Sequence, residues 1–169
     1  MSKLPSLART CTRREGGKSA ARIAADMQRI AHVPARFNPK FRASLAALQR
    51  LKDAHKGETC VIIGNGPSLA REDLRPLTEV KTFCLNRGYL KWREQELTPS
   101  YLVAVNDLVI EQFHGELADA GCPLFVPWRH QALFDTCPHA IFLEMRWHKR
   151  FFTDPRQGVW SGATVTLLS

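Results

Sequence analysis

From residue 58 onward, short apolar runs alternate with stretches of helical periodicity. Cys60–Ile63, Thr82–Leu85, Tyr101–Val105, Leu124–Val126 and Ala140–Leu143 are each about four residues long, rich in β-branched and aromatic side chains, and about 15 to 22 residues apart. Continuous apolar runs of this length suit strands buried on both faces, and each interval leaves room for a helix. The pattern predicts repeated βα units forming an α/β fold, a Rossmann-like open parallel sheet flanked by helices. The clearest helix follows the third run. Asp107 can cap it, Val109, Ile110, Phe113 and Leu117 form its apolar stripe, and Gly121 ends it.

Before residue 57 the pattern is helical. Residues 19–31 carry Ala, Ile and Met at intervals of three and four, and Pro34 and Pro39 break the run. A second helix is predicted over Pro39–His55, with Phe41, Leu45, Leu48 and Leu51 on one stripe and Lys56-Gly57 as its stop. The division is therefore a basic arm and amphipathic helix over 1–56 and a nucleotide-binding domain over 57–169. Residues 1–20 are rich in Arg, Ser, Thr and Gly, hold a single acid, Glu15, and lack the apolar core of a secretory signal. An arm of this composition is expected to be poorly ordered and quickly cut by protease. An organellar presequence shares the composition; cytoplasm is the default expectation.

Charge refines this division. The chain is 169 residues long with a net charge of +8, yet residues 1–56 hold 13 Lys/Arg against three acids and the remainder holds 11 against 13. The basic character belongs to the arm, so the domain itself is not expected to bind nucleic acid. No run of about 18 apolar residues occurs, and no transmembrane helix is predicted. Cys11, Cys60, Cys84, Cys122 and Cys137 are scattered and odd in number, which suits reduced, buried thiols. Cys137-Pro138-His139 is a single close pair without the partners a zinc site needs.

Val61-Ile62-Ile63 runs directly into Gly64-Asn65-Gly66-Pro67-Ser68. Glycines there let the chain turn sharply and let a ligand approach the backbone, and Pro67 fits the first position of a helix. A helix start at the carboxyl end of a strand is a seat for phosphate, to which Ser68 can add a hydroxyl. No Lys follows the glycines as in a P-loop, and the spacing differs from the dinucleotide fingerprint. The second and third strands end in Asn86-Arg87 and Asn106-Asp107, so Asn65, Asn86 and Asn106 are expected at one sheet edge, where parallel sheets bind ligands. Local roles are open to each: relief of a left-handed backbone, an Asx turn, or a helix cap.

Residues 56–69, Asp73-Leu74, Phe83-Cys84-Leu85-Asn86-Arg87 and Pro99-Ser100-Tyr101 through Asn106-Asp107 together resemble the 6-hydroxymethylpterin diphosphokinase MptE-like domain. The same landmarks look like those of bacterial CMP-sialic-acid-dependent sialyltransferases, with Asn65, Asn86 and Ser161-Gly162 at the matching positions. Both resemblances imply a Rossmann-like transferase that binds a nucleotide or nucleotide-sugar donor. The first implies diphosphate transfer and the second glycosyl transfer, to a small-molecule or glycan acceptor. They imply nucleotide contacts at Gly64, Asn65, Gly66, Pro67, Ser68, Asn86, Asn106, Ser161 and Gly162. With a nucleoside triphosphate, Mg²⁺ is expected and Asp107 is its first candidate ligand; a CMP-sugar requires no metal. Both families extend beyond the position of Ser169, so the reading expects a shortened chain and places the general base past that residue.

His148 lies in a basic, aromatic stretch, while His114 and His130 have no carboxylate at helical spacing and are expected to be surface or packing residues. A rival reading is a non-catalytic module whose basic arm docks an acidic partner. Neither reading specifies an oligomeric state.

Overall fold

The computed structural model describes residues 34–145 and residue 156. The predicted helix over 19–31, the arm at 1–18, Cys11, His148, Ser161 and Gly162 lie outside the described residues. Eight regular elements follow: α1 (Pro39–Leu51), β1 (Cys60–Ile63), β2 (Lys81–Leu85), α2 (Tyr89–Glu94), β3 (Tyr101–Val103), α3 (Asp107–Ala118), β4 (Leu124–Pro127) and β5 (Ala140–Leu143), with short 3-10 turns between them. The strands form one wholly parallel sheet in the order β1-β2-β3-β4-β5, the Rossmann-like α/β arrangement expected. Spatial order follows chain order. Among the described residues the sheet therefore has no reversal point, the usual crevice of a doubly wound sheet.

Burial on both faces explains why the strands read as continuous apolar runs. On one face Cys84, Leu102, Leu124, Val126 and Phe142 pack with Tyr89 and Trp92 of α2, Ile110 and Leu117 of α3, and Phe41 of α1. On the other, Phe83, Tyr101, Val103, Phe125, Ile141 and Leu143 pack with Leu48 of α1. Helix α1 thus lies against β5, the last strand among the described residues, and serves both cores. Its Ser44 hydroxyl donates to the Lys40 carbonyl at 3.1 Å and accepts from the Phe142 backbone N–H at 2.9 Å, which satisfies a donor at the sheet edge.

Several local expectations are corrected. Helix α1 ends at Leu51, not His55, because its apolar stripe is exhausted there: Lys52 turns extended and Asp53 is left-handed at φ 59°. His55 instead places Nε2 2.7 Å from the Tyr101 hydroxyl. Strand β3 ends at Val103, since the Val105 N–H leaves the ladder for the Asn86 side chain. Asn106, not Asp107, caps α3, its side chain accepting from the Val109 N–H at 3.3 Å.

The cysteines also divide. Burial pushes the Cys84 and Cys122 thiols up to about 12. Cys60 is exposed because β1 is an outer strand whose Cys60 and Ile62 face away from the covered side. At pH 8 a thiol reagent is expected to modify Cys60 in the native protein and to leave Cys84 and Cys122 untouched until denaturant is added, because the reactive species is the thiolate. Peptide mass mapping reads the result; native labelling of Cys84 as fast as Cys60 contradicts the assigned burial.

Candidate functional site

The carboxyl ends of β1, β2 and β3 lie side by side, so the glycine turn, Asn86-Arg87 and Asn106-Asp107 occupy one edge of the sheet. Here a cleft of about 430 Å³ opens between the glycine turn and α2. Asn65, Gly66 and Pro67 form one side and Arg87, Gly88 and Lys91 the other, with Leu69, Ala70 and Leu90 as apolar wall and Glu94 at the rim. Lys91 is pinned there, its Nζ donating to the Ala70 carbonyl at 3.0 Å and to Glu94 Oε1 at 3.2 Å. Arg87 is exposed, its guanidinium 4.0 Å above the ring of Phe113.

The turn itself differs in detail from a phosphate-binding helix start. Pro67 does open a helical segment, but that segment is a 3-10 turn of five residues, Pro67–Arg71, ending at Glu72. Residues Arg71-Glu72-Asp73 offer no apolar side chain to carry a longer helix onto the sheet, so little macrodipole develops. Positive charge at the cleft comes from Arg87 and Lys91 instead.

The glycines separate by cause. Gly66 has an extended backbone (φ −70°, ψ 162°) and Gly64 has no positive φ, so neither conformation demands glycine. A Cβ on Gly64 would meet nothing within 4 Å, and one on Gly66 would only touch Ser68 Oγ at 4.0 Å. Gly88 is the opposite case, because a Cβ there would fall 2.7 Å from the Cys84 sulfur. Packing accounts for Gly88; room beside the backbone is what Gly64 and Gly66 provide.

The asparagines are engaged locally as well. Asn86, not Asn65, is the left-handed residue, at φ 48°, and its Oδ1 accepts from the Val105 N–H at 3.4 Å, tying the end of β2 to that of β3. Asn106 caps α3. Asn65 is exposed and lines the cleft, whereas Ser68 is exposed beside it and is not part of its lining.

Asp107 has unexpected company. Arg129 Nε donates to its Oδ1 at 2.9 Å and His130 Nε2 lies 2.7 Å from the same oxygen. Burial works to raise this carboxyl, but the hydrogen bonds from His130 and Arg129 outweigh it and hold the group below the usual carboxylate range. Oδ1 of Asp107 is thus taken by a guanidinium and an imidazole, while its Oδ2 carries no hydrogen bond from the described residues, and among those residues no three His, Cys, Asp or Glu side chains gather to hold a metal ion. His130 is mostly buried, as expected of a packing residue, and its carboxylate partner lies not at helical spacing but 23 residues away.

A larger hollow of about 530 Å³ lies at the other end of the sheet, between α1 and residues 134–142. Its Lys40 is already paired with Asp135, and it holds none of the residues that gather at the carboxyl edge. No helix among the described residues is long and apolar enough to cross a membrane. Comparison with models of known families, with curated proteins and with solved structures finds no match to this chain.

Proposed function

We propose that the chain binds a nucleotide at the Gly64–Leu69 turn and is the nucleotide-binding part of a transferase, moving a diphosphate or a glycosyl group from a nucleotide donor to a small-molecule or glycan acceptor. The observation that carries this reading is the pair Gly64 and Gly66. Neither backbone conformation nor packing asks for glycine at either position, yet both stand at the carboxyl edge of a parallel sheet, where ligands approach the backbone. The cleft, which Gly66 lines and Gly64 does not, combines what a nucleotide needs: Arg87 and Lys91 for phosphate, the Asn65 amide for hydroxyl or base edges, and the apolar wall of Leu69, Ala70 and Leu90 for a base or ribose.

The test follows from the same glycines. Because Gly66 already has extended dihedrals that a β-branched residue favours, Gly66→Val is expected to leave the melting temperature nearly unchanged. The valine side chain fills the space proposed for the ligand, so affinity for the nucleotide that binds best among CTP, CMP, ATP and GTP should fall about tenfold or more, at least ~1.4 kcal/mol. Thermal shift finds that nucleotide and calorimetry measures the change. Unaltered affinity in the folded variant removes the site from the turn. Binding that collapses as salt rises, and is lost on deleting residues 1–33, assigns it to the basic arm instead.

A further inference from the structure

Sequence periodicity places Phe113 in the apolar stripe of α3 beside Ile110 and Leu117, yet among the described residues it joins neither core. It is half-buried, its backbone leaves helical values at φ −129°, ψ 19°, and its ring lies 4.0 Å beneath the Arg87 guanidinium. A ring meets a guanidinium on its flat face and leaves the N–H groups in its plane free. At Arg87 they are free, since none bonds to an acceptor among the described residues. Arg75, Arg93 and Arg129, by contrast, are each paired with a carboxylate. Arg87 is therefore held in place and left uncompensated, at the wall of the 430 Å³ cleft. An aromatic support allows both, whereas a carboxylate would hold the arginine and cancel its charge.

Lys91 lines the same cleft four residues further along a helical run, which sets the two Cβ atoms about 5–6 Å apart. Of its three N–H groups, two are taken by the Ala70 carbonyl and by Glu94, so one remains. Ala70 belongs to the wall assigned to the base or ribose, so Lys91 stands on the nucleoside side of the cleft and Arg87 beyond it. We infer that Arg87, positioned by Phe113, reads a second phosphate: Lys91 meets the phosphate attached to the nucleoside, the Arg87 fork takes two oxygens of the next, and the ligand is a nucleotide carrying a diphosphate. The inference rests on the nucleotide reading of the glycine turn. A guanidinium matches two oxygens of one phosphate with parallel N–H groups, which an ammonium cannot do, so the two cations have different tasks.

Calorimetry on the full chain compares nucleotides that differ by one phosphate, CMP with CDP and AMP with ADP. The wild type is expected to bind the diphosphate at least about tenfold tighter than the monophosphate. Arg87→Gln should weaken the diphosphate about 10–100-fold, the range for hydrogen bonds to a charged group, and the monophosphate less than about threefold. Arg87→Lys keeps the charge without the fork and should stay at least about threefold weaker than wild type for the diphosphate. Phe113→Leu stays apolar and loses the ring; it should weaken the diphosphate about three- to fivefold and spare the monophosphate, whereas Phe113→Tyr should match wild type within about twofold. Damage to the cleft as a whole would weaken both nucleotides alike, so the selective loss separates positioning from support of the fold. Arg87 is exposed, and its variants keep the test decisive if Phe113→Leu melts early. Equal affinity of the wild type for the two nucleotides, or equal weakening of both by Arg87→Gln, overturns the second phosphate. Full diphosphate affinity in Phe113→Leu overturns the role of its ring. Absence of nucleotide binding by the wild-type chain overturns the nucleotide reading itself, and this inference with it.

Discussion

Trp92→Ala is expected to lower the unfolding free energy by about 3–5 kcal/mol, read as an earlier denaturation midpoint at unchanged slope. Trp92 heads the large side chains that are fully buried, at 1% exposure, and it anchors the six-residue helix α2 to the sheet. A helix that short has no stability of its own, so its place beside the cleft depends on this anchor. The indole N–H is buried without a hydrogen-bond partner of adequate geometry, although it lies close enough to the Cys84 sulfur to influence that thiol. Trp92→Phe removes that unpaired donor along with part of the ring. Its cost should stay near or below about 1.5 kcal/mol, since losing an unsatisfied polar group offsets part of the lost packing. Equal losses in the two variants would mean that packing against the sheet is not what Trp92 supplies.

Trp92 also shows where the sequence was silent. The five strands were legible because each is a run of apolar residues, a pattern that survives whatever lies beside it: Phe125 and Val126 are both fully buried, one on each face. Helix α3 was legible from Ile110 and Leu117, spaced for one face. Helix α2 was not, because Tyr89–Glu94 alternates Tyr, Leu and Trp with Lys, Arg and Glu over fewer than two turns, too few for a period to emerge. Its existence is decided by the pocket that receives Tyr89 and Trp92, which is a tertiary fact.

The same division holds at the candidate site. The shared edge of Asn65, Asn86 and Asn106 could be read from the strands alone, since parallel strands must end together. What each side chain does there could not. Whether Asn106 or Asp107 caps α3 is a shift of one residue, which residue type does not decide, since both side chains can cap. The approach of His130 to Asp107 needs β4 to lie beside β3, and 23 residues of separation carry no sign of that. Its only trace in the sequence is positional, a His and an acid each placed just after a predicted strand.

Gly88→Ala is expected to cost about 1–3 kcal/mol, the usual penalty for forcing an extra carbon into a filled core. Backbone conformation does not oppose the change: Gly88 sits at φ −57°, ψ −25°, helical values that alanine prefers to glycine by about 0.5–1 kcal/mol. The obstacle is the Cys84 sulfur, 2.7 Å from where the new Cβ would stand, and Cys84 is itself fully buried in the middle of β2. If the sulfur is the whole obstacle, removing it should reverse the sign. In a Cys84→Ala background the Gly88→Ala change should be neutral or slightly stabilising, giving a coupling of about 1–3 kcal/mol between the two sites. Denaturant unfolding of the wild type, the two single variants and the double variant measures it. The same four proteins connect packing to the cleft, because Arg87 precedes Gly88 and both line it. A chain that yields at residue 88 moves the Arg87 guanidinium, so nucleotide affinity should drop in Gly88→Ala and return in the double variant. An undiminished Gly88→Ala penalty in the Cys84→Ala background would show that the contact with the sulfur is not what requires glycine at this position.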